Sequence, residues 1–152
     1  MADTNIPYNP NEEHTLVLIK PDGYNRGLIG DVISRIEKRG FKIVGLKITI
    51  PTMEELEEHY FEHREKHFFK SLVEYMSSGP IVAMVLEGSR VITSFRNMMG
   101  DTNPALAMPG TIRGDLGRDW GPDHGIENIV HGSDSELGAE REISLWFPEM
   151  ID

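Results

Sequence analysis

Apolar residues follow two different periods along the chain, one typical of buried strands and the other of amphipathic helices. Short runs of apolar and β-branched residues predict strands at residues 14–19, 41–50, 81–86 and 128–131. Apolar positions spaced three and four apart predict helices at about residues 28–36, 52–63, 68–76, 91–99 and 135–147. Each strand is therefore followed by one or two helices before the next strand begins.

Local signals mark several of the predicted boundaries. Gly40 ends the first helix, Pro51 ends the second strand, and Thr52 followed by Glu55 is a capping-box pattern that starts the next helix. Residues 101–118 are rich in Gly and Pro and predict a long ordered loop of the kind that is often functional. The order of elements predicts an α/β, ferredoxin-like sandwich: a four-stranded antiparallel sheet with helices on its faces.

Length and composition fit a single domain without covalent crosslinks. The chain has 152 residues and no cysteine, so it cannot form a disulfide. Residues 1–13 are polar and contain two prolines, which predicts a flexible N-terminal arm. The N-terminus lacks the pattern of a signal peptide, and apolar runs fall short of the roughly 20 residues that span a bilayer. We therefore expect a cytoplasmic protein that does not enter a membrane.

The charge balance limits the partners that the chain can have. With 25 acidic and 15 basic residues the formal net charge is −10, which disfavours specific binding of nucleic acid. Small anionic ligands are compatible with this charge, because a few converging arginines can make a local positive pocket. The acidic excess also fits a salt-adapted surface, which a melting temperature measured in molar salt would reveal.

The stretch NIVHGSDS at residues 128–135 combines a histidine with a helix start. His131 ends the fourth predicted strand, and Ser133 with Glu136 again matches a capping box. Helix starts offer unpaired N–H groups that bind phosphate, and a neutral imidazole can attack phosphorus. From these residues alone, a histidine that only hydrogen-bonds its neighbours stays an open alternative.

Motifs elsewhere in the chain closely resemble those of the nucleoside diphosphate kinases. These are IKPDG at 19–23, NPALAMPGTIRGD at 103–115 and the NIVHGSDS stretch, with SGPIVAMVLEG at 78–88 and AEREISLWF at 139–147 also fitting. The resemblance covers residues 15–147 and implies that residues 14–152 form a single nucleoside diphosphate kinase domain. It also implies a ferredoxin-like fold and transfer of the terminal phosphate of a nucleoside triphosphate to a diphosphate, through a phosphohistidine and with magnesium.

The resemblance assigns a catalytic role to five residues. His131 matches the nucleophile, Ser133 lies near its ring, and Glu142 matches the glutamate that orients it, which can fix the tautomer and stabilise an imidazolium. Lys20 matches a lysine that contacts the transferring phosphate, and Tyr60 a tyrosine beside the base. From the residues alone, a solvated position on the helix is the favoured interpretation of Glu142.

A second set of residues is implied to bind the nucleotide. Arg96 and Arg113 match arginines on the diphosphate, where a planar guanidinium makes bidentate contacts. Phe68 matches the base-stacking phenylalanine, although core packing of the 68–69 pair explains it equally well. The remaining implied contacts come from Leu72 beside the base, Thr102 on a phosphate oxygen, Asn128 on the ribose and phosphate side, and Lys20. Magnesium is expected through the nucleotide phosphates, with no protein metal ligand.

Two other interpretations compete with the kinase. His59 and His63 match H-x-x-E-H, an inverted zincin pattern, and His67 would continue it by one helical turn. A metallohydrolase is disfavoured because no further acidic ligand is identifiable, and an exposed helix face explains the histidines better. The third interpretation is a nucleotide-binding or regulatory module that has lost turnover, which would have no need of a nucleophile.

The chain departs from the family pattern in one place. The segment between residues 113 and 128 is longer than the usual family spacing, and its GPDHG stretch at 121–125 is predicted to form a surface loop near the nucleotide mouth. Family members are hexamers or tetramers, so the resemblance implies a homo-oligomer, with the homohexamer favoured over the tetramer.

Overall fold

Four strands form one antiparallel sheet in the computed structural model, which describes residues 6–118 and 127–150. They are β1 (His14–Ile19), β2 (Lys42–Thr49), β3 (Ile81–Glu87) and β4 (Val130–Gly132). The strands lie in the order β2-β3-β1-β4, and each neighbouring pair is antiparallel. The predicted ferredoxin-like α/β sandwich is confirmed.

Helices connect the strands and cover both faces of the sheet in the part of the chain that is described. They are α1 (Pro21–Asn25), α2 (Ile29–Lys38), α3 (Met53–His59), α4 (Phe69–Met76), α5 (Val91–Met99), α6 (Ile112–Leu116) and α7 (Glu136–Trp146), with 3₁₀ turns at Phe61–His63 and Pro148–Met150. The longest of these described helices, α7, has 11 residues. Across residues 6–118 and 127–150 there is thus no helix that could cross a bilayer, which takes about 20 residues.

The central strand β1 divides the core into two layers because all six of its residues are buried. Leu16 and Leu18 face α3, α4 and α7, and the largest side chain of that layer is Trp146. Val17 and Ile19 face α2, α5 and α6 on the other side. A strand that is apolar on both faces is the expected partner for two helical layers.

Three of the local departures from the predicted elements have the following causes. The helix expected over 52–63 ends at His59, because Arg141 donates to the carbonyls of Glu58 (2.9 Å) and His59 (3.1 Å) that would otherwise continue it. A short helix, α1, replaces the turn expected after β1, with proline at its favoured first position. Within the predicted 101–118 loop, the Thr111 hydroxyl caps α6 by accepting from the Gly114 N–H.

The segment before β1 contacts the domain from Ile6 onwards, because Ile6 and Tyr8 both pack against the core. The Tyr8 ring stacks on that of His14 at a centroid distance of 3.9 Å, and the Asn9 N–H donates to Glu87 at 2.7 Å. These contacts attach the second half of the predicted arm to the domain. The flexibility predicted for residues 1–13 as a whole stays a prediction. Residues 1–5 of that arm and the surface loop predicted at 121–125 lie outside the described residues.

Candidate active site

A cavity of about 720 Å³ opens beside the end of β4, between the 59–72 segment and the first turns of α7. Its size falls in the range of about 300–1,000 Å³ that is typical of small-molecule sites. All of the predicted site residues except Ser133 line it. Ser133 is fully buried behind the cavity wall and reaches the site through Glu142. The structure therefore brings together side chains from both ends of the sequence.

His131 is held in a fixed orientation by Glu142. The strand register pairs His131 with Leu18 of β1, which turns its ring toward the sheet face that α7 covers. Its Nε2 atom lies 2.9 Å from Oε1 of Glu142, and the Ser133 hydroxyl donates to the same oxygen at 2.7 Å. Because a carboxylate only accepts, Nε2 carries the proton and the lone pair resides on Nδ1.

Glu142 stays ionised although it is largely buried. Burial alone would raise the pKa of its carboxyl, but the hydrogen bond from His131 and the electrostatic interaction with its ring outweigh it and hold the pKa below its ordinary value. The Ser133 hydroxyl is itself fixed, because it accepts from the Leu16 N–H at 3.1 Å. A fixed negative charge therefore lies behind the His131 ring, where it can stabilise an imidazolium.

A second histidine, His59, contacts His131 from the side. The two rings meet edge to face at a centroid distance of 4.6 Å, and the Trp146 indole N–H donates to Nδ1 of His59 at 3.0 Å. This bond places the His59 proton on Nε2, which is buried and makes no hydrogen bond to the described residues. Burial first, and then the neighbouring His131, lower the pKa of His59 well below its ordinary value, so the ring is neutral.

Lys20 lies at the end of β1 with its ammonium inside the cavity wall. Its Nζ donates to Oδ1 of Asn128 at 2.8 Å, and the Asn128 amide in turn donates to the Thr102 carbonyl at 2.9 Å. Burial first, and then the positive charge of Arg113, lower the pKa of Lys20 to about 7. An anion in the cavity would favour the charged form of this lysine.

Arg113 joins three backbone segments at the cationic end of the cavity. Its guanidinium donates to the carbonyls of Asn128 (3.1 Å), Gly100 (3.1 Å) and Val130 (2.7 Å). Three of its five N–H groups donate to described backbone carbonyls in this way. Burial, together with the nearby Arg96, lowers its pKa to about 10, which keeps it charged at neutral pH.

The backbone between Asn128 and His131 is strained. Ile129 has a φ of 74°, and the Val130 N–H donates to the Asn128 carbonyl at 2.8 Å, which closes a γ-turn of the rare positive-φ kind. Such a conformation costs of the order of 1–3 kcal/mol and persists only where neighbouring contacts enforce it. The turn separates Asn128, which binds Lys20, from the strand that carries His131, and it explains why β4 begins at Val130.

The opposite end of the cavity is apolar and aromatic. Phe68 is half-buried, packs against the core and also lines the cavity, while Leu72 is buried one turn further along α4. The Tyr60 hydroxyl is buried and has no hydrogen-bond partner among the described residues. The ring of His63 lies 5.6 Å from that of Phe68. The end of the cavity at Phe68 therefore presents a flat apolar surface, whereas the end at Lys20 and Arg113 presents positively charged side chains.

The histidine pattern at residues 59–67 does not form the metal site of a zincin. The helix ends at His59, so His63 and His67 do not continue it at one per turn. His59, His131 and Glu142 do place one potential ligand atom each within 4.8 Å of one another. However, the Trp146 bond fixes the His59 proton on the nitrogen that would have to bind the metal, and His131 already bonds Glu142 directly.

Sequence reasoning missed several groups that complete the site. The exposed helix face predicted for His59 is wrong, because its ring is buried against Trp146 and His131. The contacts of Trp146 and Arg141 carried no sequence signal. The histidine pattern did point to the right segment, because His59, His63 and His67 all line the cavity. Because α3 ends at His59 and a 3₁₀ turn follows it, all three histidines lie on the cavity wall.

Cations that converge on an oriented imidazole form the kind of site that transfers phosphoryl groups, because that reaction depends on positioning and on charge stabilisation. Fold and site together define a phosphotransferase of ferredoxin-like architecture. A family model described as "Nucleoside diphosphate kinase" matches residues 13–151. The chain belongs to the nucleoside diphosphate kinase family, and the enzyme class expected from the sequence is confirmed.

Three relatives illustrate the similarity. A nucleoside diphosphate kinase of Thermobifida fusca is 56% identical over 138 residues, which is 91% of this chain and 98% of the relative. A cytosolic one of Dictyostelium discoideum is 53% identical over 142 residues, covering 93% and 88%. The structure of a halophilic nucleoside diphosphate kinase of Halobacterium salinarum in complex with CDP is 47% identical with a TM-score of 0.85, covering 93% of this chain and 92% of that one.

Proposed function

We propose that the chain transfers the terminal phosphate of a nucleoside triphosphate to a nucleoside diphosphate by a ping-pong mechanism, through a phosphohistidine on His131. The observation that carries this proposal is the 2.9 Å contact between Nε2 of His131 and Glu142 in a cavity lined by four cationic side chains, those of Lys20, Arg96, Arg113 and Arg141. It leaves the Nδ1 lone pair as the nucleophile and places a negative charge where an imidazolium develops.

Each half-reaction exchanges one bond to phosphorus. In the first, the Nδ1 lone pair of His131 attacks the terminal phosphorus, and the bond to the bridging oxygen breaks so that its electron pair leaves with the nucleoside diphosphate. The ring becomes cationic with its proton retained on Nε2, next to Glu142. In the second, a terminal oxygen of the acceptor diphosphate attacks the phosphorus, and the N–P bond electrons return to Nδ1.

Cationic side chains offset the charge that spreads over the transferring group. Lys20 lies on the phosphate side through its contact with Asn128, and Arg96 and Arg113 line the same wall. Thr102 is held there by the hydrogen bond from Asn128 to its carbonyl, which leaves its hydroxyl for a phosphate oxygen. Such fixed charges need little reorganisation during transfer and stabilise the transition state more than water does.

Magnesium is proposed as the cofactor, bound through the nucleotide phosphates. The donor set of the cavity fits this mode, since Glu142, the buried carboxylate of its described lining, is already engaged by His131 and Ser133. Magnesium prefers oxygen ligands and keeps several waters, so phosphate oxygens suit it better than this nitrogen-rich wall. When bound in this way it would neutralise phosphate charge, whereas the protein residues supply binding and orientation.

The nucleoside is proposed to lie at the apolar end of the cavity. Phe68 offers a half-exposed ring for stacking, Leu72 packs beside it and Tyr60 closes the wall next to His59. Stacking is tolerant of base identity because every base has a π-face. The CDP bound to the Halobacterium salinarum relative supports nucleoside phosphates as ligands of this fold.

The proposal includes a cytoplasmic homo-oligomer, favouring a hexamer over a tetramer. β2 is an edge strand of the sheet, and its Leu46 and Ile48 side chains are 54% and 60% exposed. Apolar side chains on an open edge strand are typical of a surface that a second copy covers. Light scattering of the purified chain would give the number of copies. A cytoplasmic location is supported by the cytosolic Dictyostelium discoideum relative.

Labelling with γ-labelled ATP and magnesium tests the proposal. We expect label on the chain that is stable in alkali, labile in acid and transferred to added GDP. Because His59, His63 and His67 also line the cavity, mass spectrometry under alkaline conditions should locate the phosphoryl group on His131. His131→Ala should abolish labelling and transfer, whereas the matched variant His67→Ala should retain both.

The same experiment separates the rival functions. A binding module would retain nucleotide without becoming labelled, and a metallohydrolase would lose activity when zinc is chelated although magnesium is supplied. Transfer to GDP by a chain whose His131 never carries phosphate would disprove the ping-pong mechanism while leaving the family assignment in place.

A further inference from the structure

Asp22 and Tyr75 make a partly buried contact between α1 and α4 that the proposed chemistry does not use. The Tyr75 hydroxyl donates to Oδ1 of Asp22 at 2.6 Å and accepts from the Asp22 backbone N–H at 2.8 Å. Asp22 is only 7% exposed. Burying a carboxylate is unfavourable unless hydrogen bonds compensate, and an apolar pair would avoid this cost. We therefore expect the carboxylate of Asp22 to make hydrogen bonds that an apolar side chain could not make.

The second oxygen of Asp22 holds the strained turn. Its Oδ2 accepts from the N–H of Ile129 at 3.0 Å, and the Lys20 N–H donates to the Ile129 carbonyl at 2.7 Å. Both backbone groups of Ile129 are thus fixed by residues 20–22, which is how a β-branched residue can remain at a φ of 74°.

The turn and the helix that Asp22 connects belong to opposite ends of the cavity. Ile129 lies directly after Asn128, which binds Lys20, and two residues before His131. Tyr75 lies on α4, three residues after Leu72 at the apolar end. Residues three apart on a helix are neighbours on its surface, so the Tyr75 contact ties the nucleoside side to the phosphate side.

We propose that Asp22 and Tyr75 are positioning residues for phosphoryl transfer: together they hold the Ile129 turn, and thereby His131 and Asn128, in register with α4. This inference deepens the proposed function and rests on it. The electrostatics agree with the geometry, because the negative charge of Asp22 raises the pKa values of Lys20 and Arg113, opposing the lowering by burial. The carboxylate therefore also helps to keep the phosphate-binding cations charged.

Two variants separate the hydrogen bond from the charge. Tyr75→Phe removes the hydroxyl and keeps the carboxylate, whereas Asp22→Asn keeps the shape and removes the charge. Their matched controls are Tyr24→Phe, a half-buried tyrosine in α1, and Asp31→Asn, whose exposed carboxylate pairs with Arg35. The rate of His131 phosphorylation by saturating magnesium ATP, measured in a single turnover, reports on positioning.

We expect both variants to phosphorylate His131 about 10- to 100-fold more slowly, the size of effect that small misplacements of reacting groups produce. The KM for the nucleoside triphosphate should change less than this rate, and both controls should match the unaltered chain. Melting curves establish that each variant is folded at the assay temperature. If Asp22→Asn is not folded, Tyr75→Phe alone decides the outcome.

The pH profile distinguishes positioning from a general loss of stability. Among the described residues, the charged groups around Lys20 are Arg113 of α6 and Asp22 of α1, and the neutral His59 of α3 is a further titratable neighbour. Asp22→Asn should therefore move the alkaline limb of the phosphorylation rate to lower pH. Tyr75→Phe retains the charge of Asp22. In this variant the phosphorylation rate should therefore fall at every pH, while the pH at which it declines on the alkaline side stays unchanged.

Amide hydrogen exchange at Ile129 tests the inference without any activity. Loss of the Tyr75 hydroxyl should accelerate exchange of the Ile129 N–H, because Asp22 is then free to move away from it. If the unaltered chain forms no phosphohistidine, the proposed function fails, while faster exchange in Tyr75→Phe would still show that the contact holds the turn. Unchanged exchange, or Tyr75→Phe phosphorylating His131 at the unaltered rate, overturns the inference.

Discussion

The Nε2 atom of His131 lies 2.9 Å from Oε1 of Glu142, and this single oxygen also accepts the Ser133 hydroxyl at 2.7 Å. The histidine is therefore oriented from behind by a carboxylate that has its own fixed partner. The arrangement makes separate predictions for the charge of Glu142 and for the hydrogen bond of Ser133.

Glu142→Gln should slow phosphorylation of His131 without preventing it. The amide oxygen can still accept from Nε2, so orientation is largely kept, but the negative charge that stabilises the imidazolium is lost. We expect a decrease of about 10- to 100-fold in kcat, in line with the loss of a charged hydrogen bond of about 1.5–3 kcal/mol. Glu140→Gln, an exposed change on the same helix, is the control. Equal rates for the two variants would contradict a catalytic role for the charge.

Ser133→Ala should reduce stability as well as rate. Its hydroxyl both donates to Glu142 and accepts from the buried Leu16 N–H at 3.1 Å. Removing it leaves that N–H without its acceptor, which costs about 1–3 kcal/mol. We expect a lower midpoint of denaturant unfolding together with slower phosphorylation. Ser135→Ala, which removes the exposed cap of α7, should lower stability while the rate of phosphorylation is retained.

Nucleotide binding should take up a proton above pH 7. Burial and Arg113 lower the pKa of Lys20 to about 7, so at pH 8 its amino group is mostly deprotonated when no nucleotide is bound. A bound phosphate favours the charged form and raises this pKa, so the complex gains a proton and the affinity falls as the pH rises above 7. Calorimetric titration with a nucleoside diphosphate in buffers of different ionisation enthalpy measures the uptake. Lys20→Met should abolish it, and uptake that persists in this variant would assign the proton to another group.

The sequence located the elements of the fold well but not the features that depend on distant contacts. β1 occupies the predicted residues 14–19 because its apolar run is bounded by polar residues on both sides. β4 begins two residues later than predicted, since the positive φ of Ile129 is enforced by Asp22, 107 positions earlier in the chain. No local pattern could reveal that constraint, because NIVH has the composition of an ordinary strand.

The site shows the same division between local and distant information. His131, Lys20 and Glu142 were assigned through motifs, and the structure places them on one cavity. His59 was not, because its role depends on the Trp146 indole, 87 positions away, which fixes its proton. The roles that the motifs imply for individual residues stay predictions until the variants are measured.

His59 should make stability depend on pH below 6.5. Burial and the neighbouring His131 lower its pKa in the folded chain, whereas the unfolded chain titrates near 6.5. The contribution of neutral His59 is therefore fully present above pH 6.5 and is lost as the pH falls, because the unfolded state takes up a proton that the buried ring resists. Measuring the free energy of unfolding at intervals from pH 7.5 to pH 5 reports this loss.

Two glutamine variants isolate the contribution of the buried ring. In His59→Gln the side-chain oxygen can still accept from Trp146, but nothing at this position titrates, so the decline in stability between pH 6.5 and pH 5 should become shallower. His67→Gln removes an exposed histidine and should leave the decline unchanged, since burial is the main cause of the effect. An identical decline in both variants would mean that the acid sensitivity comes from groups other than His59.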